Sequence, residues 1–264
     1  MTGRDVTAIV VTWNSAEDLP VALASLQDAA ETIVVDNASS DASAERARAL
    51  GARTVANAEN VGFARAANQG LREAATPLVL LLNPDAELRP GSLDALLRAL
   101  DSDARAAVVG PRTRNQDGSI QVSFGADLTP SSERRQRRLV RGVSRRHPDV
   151  MREVESLAAS GHAPDWVSGS CWLARRQALV DADGFDEGYF LYEEDADLCR
   201  RLRSAGWRIL YTPAAEVVHR LGRSAARSGD RARREYDRSH LRYYSKWNGP
   251  FLTFLLRLKQ LAGL

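Results

Sequence analysis

The sequence predicts an α/β protein built on a mostly parallel, Rossmann-like central sheet with helices on both faces. Three observations predict it. Short β-branched and apolar runs stand at 6–12, 32–36 and 77–83; stretches with helical periodicity separate them; and polar residues follow the runs at their carboxyl ends. Strands buried on both faces read as continuous apolar runs rather than alternating ones. Strands that alternate with helices join by right-handed crossovers into a doubly wound sheet.

Taken in order, "VTAIVVT" at 6–12 is the first strand, and a helix follows over about 18–29 with Leu19, Leu23 and Leu26 on one face. "TIVVD" at 32–36 is the second strand, and "SDASAERARAL" at 40–50 a helix with Ser and Asp as capping material. "RTVAN" at 53–57 is a weak third strand, "GFARAANQGLREA" at 62–74 a third helix, "PLVLLLN" at 77–83 a strongly apolar fourth strand, and "SLDALLRAL" at 92–100 another helix. "VVGPRTRNQDGSIQVSF" at 108–124 reads as a strand and hairpin turning at Asp117-Gly118. Residues 130–163 show no clear periodicity. "DWVSGSCWLARR" at 165–176 reads as one strand whose Ser168, Gly169 and Ser170 let a ligand or another backbone approach closely. An acidic helix, "WRILYTP" at 207–213, "EVVHRLG" at 216–222 and an Arg-rich helical tail complete the chain.

The 264 residues suffice for a sizeable core, and 44% hydrophobic with 27% charged content is ordinary for a globular protein. A net charge of +2 is too small for a general nucleic-acid binder. Cys171 and Cys199 form no C-x-x-C, so a reducing cytoplasm is expected. "MTGRDVTAIV" lacks the pattern of a signal peptide. No run approaches the ~18–20 apolar residues of a membrane span; "FLTFLLRLKQLAGL" at 251–264 is too short to cross a bilayer but suits lying on one.

In doubly wound sheets ligands bind beyond the carboxyl ends of the strands. That rule selects Thr12-Trp13-Asn14, Asp36-Asn37 and Asn83-Pro84-Asp85. One aspartate after a strand is ordinarily a cap or turn residue; three polar strand ends on one edge are less easily dismissed. No G-x-G-x-x-G, P-loop or G-x-S-x-G motif is present. A phosphate-bearing ligand would therefore need a metal ion or arginines. Asp85 is a suitable hard oxygen ligand for a divalent ion, and His219 is either a second ligand or a structural histidine. In "YEEDADLCRRL" at 192–202, acids in the first turn and Arg200, Arg201 and Arg203 further on complement a helix dipole, and Asp197 and Arg201 are spaced to pair. The helix does not explain why Glu193, Glu194 and Asp195 adjoin, where they repel.

The series "VTWN", "VVDNASSD", "NVGFARAANQG", "LLNPDAEL", "SGSCWLARR", "GFDEGYFLYEEDADLCRRLRSAGW" and "VVHRLGRS", in this order, resembles the family 2 inverting glycosyltransferases of GT-A fold over about residues 5–225. Within that family it looks most like the rhamnosyltransferase-like branch, where N-P-D stands in place of D-x-D. The resemblance implies a glycosyltransferase domain over 1–225, with a nucleotide-binding half of about 1–110 and an acceptor and catalytic half of about 111–225, followed by an Arg-rich helical appendage over 226–264. It implies Thr12, Asn14, Asp36 and Asn37 near base and ribose, with Gly62, Arg65, Asn68 and Asn83 around the donor nucleotide. Asp85 becomes the leading ligand of a divalent metal, Mg or Mn, and the departure at Asn83 removes one carboxylate from the motif. Asp195 aligns as the general base and Glu194 as its reserve, since the doubled glutamate leaves a one-residue ambiguity. Gly169, Ser170, Glu193 and Trp166 fall to the sugar and acceptor.

The implied activity is transfer of a sugar, L-rhamnose from dTDP-L-rhamnose by likeness to the branch, to a hydroxyl of a saccharide or polyprenyl-diphosphate-linked glycan in cell-wall or polysaccharide synthesis. UDP-linked donors remain open, as does the oligomeric state. A nucleotidyltransferase would carry a Gly-rich loop after the first strand, and "VTWNSAEDLP" has none. A non-catalytic sugar-nucleotide-binding protein would not need both Asp85 and Asp195. The seven arginines and no acid of "RRQRRLVRGVSRRH" at 134–147 are either a solvated face or a peripheral contact with the inner face of the cell membrane, where each basic residue adds about 1 kcal/mol of attraction to anionic lipid.

Overall fold

A computed structural model describes residues 1–220 and 223–262, the side chains of 223–230 excepted. Leu221 and Gly222 of the 217–224 stretch, and the side chains of Arg223 and Arg227 in the basic tail, lie outside the described residues. The main sheet has eight strands: β1 (Val6–Thr12), β2 (Glu31–Asp36), β3 (Arg53–Ala56), β4 (Leu78–Leu82), β5 (Ala86–Leu88), β6 (Ala106–Arg114), β9 (Cys171–Arg175) and β10 (Arg208–His219). The short strands β7 (Phe124–Gly125) and β8 (Trp166–Val167) pair separately. Spatial order in the main sheet is β3-β2-β1-β4-β9-β6-β10-β5. Strands β3, β2, β1, β4, β6 and β10 run parallel, while β9 and β5 oppose their neighbours. The α/β class and the mostly parallel sheet thus hold.

Alternate side chains of each strand feed two cores. Ile9, Val11, Ile33 and Leu81 pack on one face under α3 (Phe63–Glu73) and α8 (Glu194–Ser204). Ala8, Val10, Val34 and Leu80 pack on the other, under α1 (Leu19–Ala24) and α4 (Ser92–Asp101). All seven residues of β1 and all five of β4 are buried, which is why their sequences are apolar without alternation. The chain leaves β1 toward β2 and β3 on one side and resumes at β4 on the other, so the switch point of the sheet lies between β1 and β4. There the carboxyl-end crevice is expected.

Three expectations need correction. Residues 130–163 hold two helices, α5 (Pro130–Ser144) and α6 (Pro148–Leu157). Thr129 caps α5 by accepting from the Ser132 N–H, and Pro130 starts it. Their shared apolar contact is small, with Leu139, Val150 and Val154 buried and Val143 and Leu157 packed against them. The segment 165–176 is not one strand: it breaks at Ser168-Gly169-Ser170 between β8 and β9. The expected hairpin at Asp117-Gly118 is present but short: Arg114 bridges Ile120, the Asn115 N–H donates to the Ser119 carbonyl and the Gln121 N–H to the Thr113 carbonyl, both at 2.9 Å. The segments 207–213 and 216–222 form the one strand β10, which slips register against β6 between Thr212 and Glu216. Short α2 (Ser43–Ala49) falls where a helix is expected, and α7 (Arg176–Asp181) where none is.

After β10 come α9 (Arg223–Trp247) and α10 (Gly249–Leu261). Tyr243 and Tyr244 of α9 are fully buried, and Trp247 Nε1 donates to Asp197 of α8 at 2.8 Å. Along α10, Leu252 and Leu256 pack inward, whereas Phe251, Phe254, Leu255, Leu258 and Leu261 are exposed.

Candidate active site

At the switch point a cavity of about 240 Å³ opens over the ends of β1 and β4, lined by Thr12, Asn37, Asn83, Asp85 and His219 among others. A second, of about 400 Å³, is lined by Ser168, Gly169, Ser170, Glu193, Glu194 and Asp195, and by Glu133, Tyr236 and His240 of the helices. The two share Phe63, Asn83, Leu191, Tyr192 and His219, and so form one continuous cleft.

Strand geometry sets the first half. Thr12 and Asp36 are register partners at the ends of β1 and β2. Thr12 Oγ1 and Asp36 Oδ1 are buried without a hydrogen-bond partner, while Asp36 Oδ2 accepts from the Ser39 N–H at 3.1 Å. Orphaned buried polar atoms of this kind are rare and point to a missing ligand or water. Asn37 is spent on the loop: its amide donates to the Gly62 carbonyl at 3.1 Å and accepts from the Val61 N–H at 3.0 Å. Gly62 must be glycine, for its φ is +87° and a Cβ would lie 2.7 Å from the Phe190 carbonyl oxygen. Asn14 turns from the cleft to bind the Ser40 N–H at 2.7 Å.

Two more expected donor residues, Arg65 and Asn68, are not brought to the cleft. Arg65 Nε pairs with Glu187 at 3.0 Å on the surface. Asn68 is locked on the backbone of Phe185, donating to its carbonyl at 2.9 Å and accepting from its N–H at 2.8 Å. In their place α9 supplies Arg231, its guanidinium 5.1 Å from the Phe190 ring centroid and without a carboxylate partner among the described residues. No local signal in the sequence distinguishes Arg231 from its neighbouring arginines.

Between the halves, antiparallel pairing of β5 with β10 sets His219 opposite Ala86 and so beside Asp85. His219 Nε2 is 3.2 Å from Asp85 Oδ1, and its Nδ1 is 3.2 Å from Gln121 Oε1. Both side chains are at least nine-tenths buried. A carboxylate and an imidazole suit a divalent ion. Among the described residues no third His, Cys, Asp or Glu joins them, so the rest of its coordination would fall to ligand oxygens and water. The Asn83 N–H donates to the Ser170 carbonyl at 2.9 Å, fixing this corner to the second half.

The second half assembles from distant segments. Asp195 Oδ2 accepts the Gly169 N–H at 2.7 Å and Oδ1 its neighbour's, Ala196, at 2.8 Å. Burial pushes the Asp195 carboxyl up, against those two bonds. Burial, and then the charge of Asp195, push Glu194 well above the usual range; its Oε2 is buried and unpartnered. Gly169 leaves ordinary contact space, a Cβ there lying 3.5 Å from Asp195, so what the site uses is its N–H. Ser170 is buried beside Ser168, and Trp166 lines the cavity with Nε1 on the Ala126 carbonyl at 2.8 Å. Asp197 does not enter the cleft: it pairs with Arg201 at 2.8 Å, as the helix pattern predicts.

Tyr192 and Glu193 both have left-handed backbones, φ +72° and +63°, each costing on the order of 1–3 kcal/mol. The turn is held from α9: Ser239 Oγ donates to the Leu191 carbonyl at 2.7 Å, and His240 Nδ1 is 2.6 Å from Glu193 Oε1. His240 Nε2 is 3.4 Å from Glu133 Oε2 of α5. Although burial opposes it, the hydrogen bonds of Glu133 and Glu193 push His240 up to about 9. Despite its own burial, Glu133 is held below the usual range by His240, Tyr244 and Arg137. Burial leaves Glu193 above its range in spite of the imidazole. The motifs singled out Glu193 but gave no sign of Glu133, Gln121 or His240.

Residues 7–151 match the family described as glycosyl transferase family 2. The chain is 37% identical over 243 residues to the N-acetylglucosaminyl-diphospho-decaprenol L-rhamnosyltransferase of Mycobacterium tuberculosis, covering 84% of this chain and 78% of that protein. A 55-residue stretch is 51% identical to the rhamnosyltransferase WbbL of Escherichia coli, covering 21% of each. In three dimensions the chain is similar to the mannosyltransferase PcManGT from Pyrobaculum calidifontis, solved with GDP-Man and Mn2+, at TM-score 0.65 and 20% identity over 92% of this chain and 63% of that one. It is also similar to TarS 1-349 of S. aureus, at TM-score 0.57 and 17% identity over 91% and 64% of the two chains. These likenesses make the fold GT-A.

Proposed function

The chain belongs to glycosyl transferase family 2, and on that premise we propose that it transfers L-rhamnose from dTDP-L-rhamnose, with inversion, to a hydroxyl of a saccharide carried on a polyprenyl diphosphate. One observation carries the proposal: Asp195, its carboxylate anchored by the Gly169 N–H, faces the same cleft as the Asp85–His219 pair. The relatives named rhamnosyltransferase, one of them acting by name on N-acetylglucosaminyl-diphospho-decaprenol, support the sugar and the acceptor class.

The half of about residues 1–110 holds the donor. Asp36 Oδ1, buried without a partner beside Thr12, accepts the N3–H of a thymine or uracil. Asp85 and His219 would hold a divalent ion, Mg or Mn, which supplies charge stabilisation to the departing diphosphate when bound. Arg231 faces the same charge from α9. The half of about 111–225 holds the acceptor. Asp195 removes the proton of the attacking hydroxyl; burial raises its affinity for that proton, while the Gly169 and Ala196 N–H groups fix its direction. Glu194, pushed further up, is protonated more readily and so offers a hydrogen bond rather than a second charge. The free Oε2 of Glu193 accepts a hydroxyl of the acceptor, and Trp166 walls the sugar. A single displacement inverts the anomeric centre.

No described helix is long and apolar enough to cross a membrane. The protein docks instead on the inner face of the cell membrane through α10, whose exposed Phe251, Phe254, Leu255, Leu258 and Leu261 recur at helical spacing. Arg134, Arg141 and Arg145, without carboxylate partners among the described residues, suit anionic lipid.

The test is transfer of labelled rhamnose from dTDP-L-rhamnose to a short-chain N-acetylglucosaminyl-diphospho-lipid, with UDP-linked sugars alongside. Transfer from dTDP-L-rhamnose alone is expected, and transfer only from a UDP-sugar would overturn the donor assignment. Flotation with anionic vesicles at low salt tests the docking; a protein that stays at the bottom of the gradient removes it.

A further inference from the structure

The acidic turn is contacted by one helix at several points. From α9, Ser239 reaches Leu191, His240 reaches Glu193, and Lys246 and Trp247 reach Asp197. His240 differs from the others because both its ring nitrogens face carboxylates on different elements, Glu193 at 2.6 Å in the turn and Glu133 at 3.4 Å on α5. A neutral imidazole has one N–H and would set a lone pair against one of them; only the doubly protonated ring serves both. The rest of the surroundings fit that state. Glu133 takes the Tyr244 hydroxyl at 2.6 Å and Arg137 at 3.1 Å, Tyr236 stacks on the imidazole with 12° between planes, and Asp195 adds further negative charge beyond Glu193.

The consequence falls on Glu193. One of its carboxylate oxygens is bound to His240, while the other is buried, unpartnered and part of the acceptor cavity. Its backbone is in a left-handed conformation that persists only where the surroundings over-determine it.

We propose that His240 is a positioning residue for acceptor recognition: by bridging Glu193 to Glu133 it clamps the acidic turn so that the free oxygen of Glu193 meets a hydroxyl of the acceptor saccharide. The clamp rests on the transferase function proposed above and deepens it. It assigns α9 to the acceptor site and makes acceptor binding depend on a histidine that acts through Glu193.

The test compares H240A, H240Q and E133Q with the unmodified protein, using the short-chain N-acetylglucosaminyl-diphospho-lipid as acceptor. With H240A the acceptor KM rises and kcat/KM for the acceptor falls by about 100-fold, the scale of a misplacement of roughly 1 Å. Donor KM and metal-dependent dTDP binding stay within about twofold of the unmodified protein, because none of Glu133, Glu193 and His240 lines the donor cavity. H240Q keeps a donor toward Glu193 and recovers part of the loss; E133Q, which frees the other end of the bridge, shifts acceptor KM in the same direction. Equal loss of donor and acceptor affinity in every variant would reduce His240 to a structural residue and overturn the clamp, as would acceptor kinetics unchanged in H240Q and E133Q if H240A does not fold. D195N separates the two proposals. If D195N loses turnover while the His240 variants behave as the unmodified protein, the clamp alone falls; if D195N turns over normally, the transferase site itself is misassigned.

Discussion

In the donor half, Thr12 and Asp85 line the cleft and Asp36 lies buried beside Thr12, all at or just beyond the ends of adjacent strands, and the sheet alone sets their spacing. In the acceptor half, Asp195 is aimed by a loop 26 residues earlier, and Glu193 is held by a helix 47 residues later. The first kind of site is a by-product of buried strands with polar ends. The second exists only once α5, α8, α9 and the 168–170 loop have docked. A lesion in the docking should therefore injure acceptor chemistry first and leave nucleotide binding standing.

The largest expected effect breaks the comparison at its catalytic point. D195N should lower turnover by about 10²- to 10⁴-fold, the range of a general base, while dTDP still binds in a calorimetric titration. Turnover within a few-fold of normal would unseat Asp195. Chelation of divalent ions, or D85A, should act on the other half. Either is expected to abolish the metal-dependent thermal shift by dTDP and to cut turnover by on the order of 100-fold or more. A dTDP shift that persists in EDTA would separate nucleotide binding from the ion.

Stability against pH sharpens the contrast through His240. Its folded value of about 9 lies above the ordinary 6.5, so its stabilisation is complete below about pH 6.5 and is lost as pH rises through about 9. The loss is at most about 3 kcal/mol. Urea midpoints between pH 6.5 and 9.5 should fall in the unmodified protein and stay flatter in H240Q; parallel slopes would contradict the ionised bridge. Two glycines give a smaller comparison. G62A puts a Cβ against the Phe190 carbonyl at a left-handed position and should cost on the order of 2 kcal/mol. G169A has ordinary contact space and should leave the melting temperature nearly unchanged. The smallest effect is R65A: its exposed pair with Glu187 is worth roughly 0–1 kcal/mol, and donor KM should not move.

The apolar runs made β1, β2 and β4 legible, because a strand buried on both faces can hold little else; half-exposed β3 gave a weak signal and three-residue β5 none. The three polar strand ends followed from the same runs. Helices α5 and α6 were hard to read because their apolar contact is a few side chains, with only Leu139, Val150 and Val154 buried, amid charged and small polar residues. Arg65 and Asn68 carried the motif, but Arg65 pairs with Glu187 at the surface and Asn68 is buried against Phe185, since a helix start can place only some of its residues toward a cleft. Glu133 and His240 had no motif to announce them, each being an ordinary residue in a basic stretch.

By itself, then, the sequence determined the α/β layering, the parallel order of the first strands and the identity of the acids, because burial period and strand-end chemistry are local. Tertiary structure alone decided which acids share a cleft, that β9 enters antiparallel between β4 and β6, and that α9 closes on the acidic turn. Those choices depend on contacts between residues tens of positions apart, whose free energy exists only when both partners are already in place.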